Sequence, residues 1–177
     1  MNDILETIVS RRSIKKYKNT PVEKELLNKV IKAGTYAPTG KNSQSPLIIA
    51  ITNTAIRNRL SIELADYRNI TTDPFYGAPV ILAVLADKGV FTHVYDGSCV
   101  IENMLLEAHS LGLGACWIHH AKEIFERDYG KKILARLGLS SDYEGIGFCI
   151  LGHSDIEIKN EIPRKDNYVY YLDWFLK

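Results

Sequence analysis

Apolar residues recur along the chain in two rhythms, helical spacing and short continuous runs. Ile4, Leu5, Ile8 and Val9 predict a short helix over residues 2–9. Leu26, Leu27, Val30 and Ile31 predict a second helix, stopped by Gly34 and Pro38. Thr20 is its expected N-cap, with Pro21 at the first helical position and Glu23 completing a capping box. Residues 54–66 read as a helix, as do 95–111, where Val100, Ile101, Met104, Leu105, Ala108 and Leu111 make a wide apolar stripe. A further helix is expected over 121–137, ending at Gly138. Continuous apolar runs at 47–51, 80–85, 115–118 and 146–151 read as buried strands. Tyr168 to Leu172 is β-prone and has no local partner, so it is expected to pair far away or with another chain. Taken alone, this pattern predicts a layered α/β protein with a buried, parallel-type sheet.

No repeat, low-complexity segment or linker divides the 177 residues, which suit one domain plus a C-terminal tail. A net charge of +1 excludes a general attraction to nucleic acid, so any anion site is local. The N-terminus is acidic early and lacks an apolar core of signal-peptide type, and no apolar run is long enough to span a bilayer. Cys99, Cys116 and Cys149 are odd in number and widely spaced, which argues against a disulfide framework and fits a cytoplasmic location.

Four segments carry candidate chemistry. In an extended Arg11–Tyr17 stretch, Arg11, Ser13, Lys15 and Tyr17 share one side and make a cradle for a phosphate or a ring edge; the plainer reading is a solvated basic segment. The loop Ala37 to Pro46 places the amides of Asn42 and Gln44 just before a strand, and is otherwise an ordinary turn. Gly112-Leu113-Gly114 follows a helix and precedes a strand, the wrong order for a dinucleotide fingerprint; tight reversal explains it. His119 and His120 end that strand. Neighbours on a strand face opposite ways, which argues against one metal between them, and Cys116, His119 and His153 lack any zinc-binding spacing. The fourth segment, Arg164-Lys165, is either a solvated tail or a second cationic arm on the same anion. No nucleophile motif or P-loop is present, which suits an enzyme whose cofactor does the hard chemistry.

In this order, the segments resemble the FMN-dependent nitroreductase family. The likeness rests on Arg11-Arg12-Ser13-Ile14-Lys15 leading to Tyr17, on Ala37-Pro38-Thr39 followed by Asn42 and Gln44, on Gly112 to Ile118, and on Leu151-Gly152 followed by Arg164-Lys165. The resemblance implies an α+β, three-layer fold with a mostly antiparallel sheet, in place of the parallel one. It implies an FMN-binding domain over 1–155 and an extended tail over 156–177, which adds a strand to the partner of an intertwined homodimer. Arg11, Arg12 and Ser13 would hold the FMN phosphate and ribityl chain, completed by Arg164 and Lys165. Lys15 would lie near the pyrimidine edge of the ring. Pro38, Thr39, Gly40, Asn42 and Gln44 would belong to the site, with that loop reaching the flavin of the other subunit. Trp117, Ile118, His119 and His120 would line the ring's far side.

The implied activity is electron transfer from NAD(P)H to a nitroaromatic, quinone or flavin, with no side chain required as acid or base. A flavin-storing or flavin-sensing protein would use the same residues. Three departures fall where substrate would sit: Gln44-Ser45-Pro46 where the family often has Gln-Pro-Trp, the His119-His120 pair, and a chain too short for the helices that cover larger members' pockets.

Overall fold

The apolar run of Val80–Asp87 (β2) has no polar face, so both faces need cover, and seven of its eight residues are buried. In the computed structural model, which describes residues 4–157 and 162–172, β2 pairs antiparallel with Leu47–Ile51 (β1) on one side. On the other it pairs antiparallel with Tyr143–Gly152 (β4), and Gly114–Ile118 (β3) pairs antiparallel with the far edge of β4. The order is β1-β2-β4-β3. The parallel sheet suggested by the apolar runs is thus corrected to the antiparallel one that the resemblance implied. The runs are continuous because helices cover both faces of the sheet, whichever way its strands point.

Alternation along the strands divides two cores. Val80, Leu82 and Val84 face helices Lys24–Thr35 (α2) and His93–Ser110 (α4), packing with Leu27, Val30, Ile101, Met104 and Leu105. Ile81, Ala83 and Leu85 face the other layer, of Thr54–Tyr67 (α3), Ala121–Glu126 (α5) and Asp128–Arg136 (α6). Leu60, Leu64, Ile124, Phe125 and Leu134 fill that side with Phe148 and Ile150. Each such side chain, once fully buried, contributes about 1.5–3 kcal/mol. Ile4–Ser10 (α1) buries none of its side chains, and Ile4, Leu5, Ile8 and Val9 remain exposed.

Four local expectations need correction or restriction. Helix α2 begins at Lys24, not after Thr20, and its N-cap position, Glu23, makes no side-chain cap. Instead the Glu23 carboxylate lies 3.1 Å from Nε2 of His153, whose carbonyl accepts from Lys18 N–H; a long-range contact claims the residue that would have completed the box. The 121–137 helix is broken at Arg127, which is extended (ψ 162°). Its guanidinium reaches across to Glu63 and Asp66 on α3. The Leu47–Ile51 run forms the open edge of the sheet rather than a buried strand, with Ala50 exposed. In the tail, Tyr168 to Leu172 is exposed and takes no strand within the single chain. Residues 158–161 and 173–177 of the expected tail, and residues 1–3 of the expected first helix and domain, lie outside the described residues.

Candidate functional site

The basic segment runs along the free edge of β3 as a rudimentary fifth strand. Ile14 N–H donates to the Ala115 carbonyl at 2.9 Å, and Ser13 pairs in parallel with Ala115. Further on, Tyr17 bridges Ser154, and Asp155 N–H donates to the Lys16 carbonyl at 3.1 Å. Ile14 is buried against Gly114, where a Cβ would meet the Ile14 side chain at 2.9 Å; glycine lets the segment lie this close.

Arg11, Ser13, Lys15 and Tyr17 each interact with Cys116. Burial pushes the Cys116 thiol up, while a hydrogen bond with Ser13 and the charges of Lys15 and Arg11 pull it down without reversing the shift. Tyr17 is driven well above the usual phenol range, chiefly by burial and then by Cys116 and Cys149, and its hydroxyl donates to the Ile14 carbonyl at 2.6 Å. The Cys149 thiol, fully buried, is pushed up to about 12.

The two arginines differ. Arg12 Nη1 donates to the carbonyls of Val9 and Arg11, both at 2.7 Å, and so fixes the turn leaving α1. Arg11 holds one buried guanidinium nitrogen with no hydrogen-bond partner among the described residues. Its charge is felt nearby: burial, then Arg11 and Arg12, hold His109 below the usual imidazole range, and His109 Nε2 lies 2.8 Å from Ser10 Oγ. A cation with an unpaired buried donor next to an exposed serine and an exposed lysine fits the phosphate and polar edge of a nucleotide-like anion. Lys15 places its ammonium 5.5 Å from the centre of the Tyr76 ring.

The amide-bearing loop sits at the far edge of the sheet. Lys41, Asn42 and Gln44 all take positive φ, near 50°, and Pro38, Asn42 and Gln44 are exposed. Gln44 Nε2 donates to Asn42 Oδ1 at 3.3 Å, and Gln44 N–H donates to Thr39 Oγ1 at 3.1 Å. The loop hangs from a buried carboxylate, Asp96 in the first turn of α4. Asp96 accepts from Gly40 N–H at 3.0 Å, from Thr92 Oγ1 at 2.8 Å and from Ser43 Oγ at 3.4 Å.

At the end of β3, Trp117 packs in the α2/α4 core while Ile118 is buried on the opposite face. Their side chains therefore cannot line one surface together, which leaves their backbone for any ligand on either face. His119 and His120 do not diverge as strand neighbours would. His120 turns left-handed (φ 71°), and the two rings lie 4.7 Å apart. His120 Nδ1 lies 3.5 Å from Glu123 Oε2, close in distance but without hydrogen-bond geometry, so both atoms count as unpaired. Among the described residues no three His, Cys, Asp or Glu side chains gather as a metal site, and His153 is held by Glu23. Arg164 and Lys165 are exposed, Lys165 lying 5.3 Å from the centre of the Tyr168 ring, and neither bonds the Arg11–Ser13 segment among the described residues.

The sequence model of the Nitroreductase family matches residues 8–153, which run from the end of α1 past the end of β4. The chain belongs to the nitroreductase family. A protein of Methanothermobacter thermautotrophicus, provisionally named an NADH dehydrogenase/NAD(P)H nitroreductase, is 34% identical over 119 residues, 65% of this chain and 60% of that one. The NADPH-flavin oxidoreductase of Vibrio harveyi is 28% identical over 176 residues, 92% of this chain and 71% of that one. The fold superimposes on a nitroreductase with bound FMN from Bacteroides fragilis, with a TM-score of 0.86 and 27% identity over 98% of this chain and 100% of that chain. A second nitroreductase with bound FMN, from Desulfitobacterium hafniense, gives 0.85 and 25% over 97% and 100%.

Sequence reasoning missed Asp96, Thr92, Asp73 and Tyr76. Nothing local marks Asp96: it lies 56 residues from Gly40, and its burial follows from the docking of α4. Asp73-Pro74 ahead of Gly77 is a turn signal that could have drawn attention to Tyr76.

Proposed function

We propose that the protein binds FMN and uses it to pass electrons from NAD(P)H to a small organic acceptor. The observation that carries this reading is the Arg11–Lys15 segment: a buried guanidinium nitrogen on Arg11, unpaired among the described residues, beside exposed Ser13 and Lys15, in a nitroreductase-family chain. FMN-bound relatives and the flavin and nicotinamide named for others supply the class of cofactor and donor. Arg11 and Ser13, with Arg12 securing the turn, hold the phosphate and ribityl end, and Arg164 and Lys165 supply further positive charge from the tail. Lys15 addresses the pyrimidine edge, where a fixed cation favours a reduced, anionic ring. The backbone at Trp117 and Ile118, with His119 and His120, borders the acceptor side. Bound there, FMN supplies two-electron chemistry between nicotinamide and acceptor.

The site includes a second copy of the chain. In one protomer the Pro38–Gln44 loop leads into β1, while the basic segment lies outside β3. With strands about 4.8 Å apart, those positions differ by roughly 19 Å across the sheet. One FMN contacts both only where a partner subunit contributes the loop, and the exposed apolar faces of α1 and the tail supply surface for that pairing.

The test is a visible spectrum of the purified protein, followed by anaerobic NADH and NADPH additions. Flavin bands that bleach on addition support the reductase and rank the donors. A colourless protein that also fails to take up added FMN refutes the reading, and flavin bands that persist with both donors leave a storage or sensing protein in its place.

A further inference from the structure

The 73–77 turn is built more firmly than a surface loop requires, and it presents one side chain. Asp73 accepts from Phe75 N–H at 3.0 Å and from Gly77 N–H at 2.7 Å. The same carboxylate is gripped from α3 by the buried Arg57 and by the Ser61 hydroxyl, the latter at 2.6 Å. Arg57 Nε also donates to the Ala78 carbonyl at 3.0 Å, closing the turn from its other end. Phe75 is fully buried and meets Phe148 edge to face, with ring centres 5.3 Å apart.

Between these anchors Tyr76 is forced to φ 53°, a left-handed conformation that an aromatic residue rarely adopts. Strain of this kind persists only where the surroundings over-determine it, and it concentrates at functional sites. Its outcome here is specific: the Tyr76 ring stays exposed and receives the Lys15 ammonium over its face at 5.5 Å. Lys15 lies on the segment beside β3 and carries no ion pair among the described residues, so the ring is a contact that limits where its long side chain rests.

We propose that Tyr76 is a positioning residue of the cofactor site: its ring holds the Lys15 ammonium at the edge of the bound flavin and so raises the flavin's reduction potential. The inference rests on the FMN reading above. A lysine on a flexible stem spreads its charge over many positions; a cation–π contact confines it, and a confined cation favours the anionic, reduced ring over the neutral, oxidised one.

The experiment is the two-electron midpoint potential of the FMN-loaded protein, with FMN content measured in parallel, for wild type, Tyr76→Phe, Tyr76→Ala, Lys15→Met and the Tyr76→Ala/Lys15→Met double variant. Tyr76→Ala should lower the preference for reduced over oxidised FMN about fivefold, the size of one exposed cation–π contact. At 29.6 mV per tenfold, that is a fall of about 20 mV. Tyr76→Phe keeps the ring and should match wild type. In the Lys15→Met background, Tyr76→Ala should add nothing. A Tyr76→Ala potential equal to wild type, a Tyr76→Phe shift as large as that of Tyr76→Ala, or a shift that persists without Lys15 overturns the assignment while leaving FMN binding intact. A wild-type protein that takes up no FMN refutes the cofactor reading, and this inference with it.

Discussion

Replacing Asp96 by alanine should unlatch the 39–44 loop and cost the protein a measurable part of its stability. The carboxylate is 4% exposed and accepts at 3.0 Å from Gly40 N–H and at 2.8 Å from Thr92 Oγ1, with a weak third contact to Ser43. Hydrogen bonds to a charged group contribute about 1.5–3 kcal/mol each. Two such bonds set an upper range that is reduced because alanine removes the cost of burying a carboxylate, and because the half-buried Gly40 and Thr92 can take water. The net loss should be about 3 kcal/mol. For a domain of this size that lowers the melting temperature by about 10 °C. Asp96→Asn keeps a single acceptor and should lose about half as much. Urea denaturation followed by circular dichroism gives the stability, and FMN titration of the same variants reports on the loop, whose loss of shape should weaken binding. If Asp96→Ala unfolds within about 0.5 kcal/mol of wild type, the size of an ordinary surface change, the loop is not suspended from this residue.

Three further outcomes are expected. Burial pushes the Asp73 carboxyl up, but hydrogen bonds from Arg57, Ser61 and the Phe75 and Gly77 amides outweigh it, leaving its pKa below the ordinary 3.8. The folded chain therefore binds fewer protons there than the unfolded one, so this stability is present above pH 3.8 and lost as pH falls through the lower folded value. Urea unfolding between about pH 5 and 2 should fall less steeply with acid in Asp73→Asn than in wild type. Gly130→Ala would normally favour a helix by about 1 kcal/mol, yet here a Cβ would overlap the Ile124 carbonyl and sit 2.5 Å from Phe125 Cα. The variant should be destabilised by about 2 kcal/mol or more in thermal denaturation, because backbone cannot step aside as a flexible side chain can. Finally, Arg11→Ala removes one of the charges that depress His109 and should raise the His109 pKa toward 6.5, as read from imidazole NMR shifts against pH; an unmoved value would place the guanidinium elsewhere.

Among the described residues, periodicity located the four strands of the sheet and most helices to within a few residues, because most of them bury a stripe or a run that is local in sequence, but it ran α5 and α6 together. It could not give strand direction, since Val80–Asp87 is equally apolar whichever way its neighbours run. Where long-range bonds took over, local signals misled: Glu23 turned to His153 instead of capping α2, and Arg127 broke a helix to meet α3. In the candidate site, the basic segment was legible because its cations and hydroxyls lie close together in the sequence. The support of its counterpart loop was not, because Asp96 is placed by the docking of α4 and by nothing within the loop itself. The pairing of Lys15 with Tyr76 was equally hidden, since 61 residues separate two side chains that meet only in three dimensions.

The order of the strands also sets an order of assembly. β4 is the last strand among the described residues, yet it lies between β2 and β3, and β3 pairs otherwise only with the short Ser13–Ile14 stretch among them. Until residues 143–152 are in place, β2 keeps an apolar flank uncovered and β3 lacks the strand that joins it to the rest of the sheet, a long-range closure of the kind that slows folding and invites aggregation. The Arg11–Tyr17 segment leans on β3 in turn and on residues that follow β4. That segment, which precedes every strand of the sheet in the sequence, is therefore among the last to acquire its shape, and a partly unfolded chain carries Arg11 and Arg12 without the neighbours that order them.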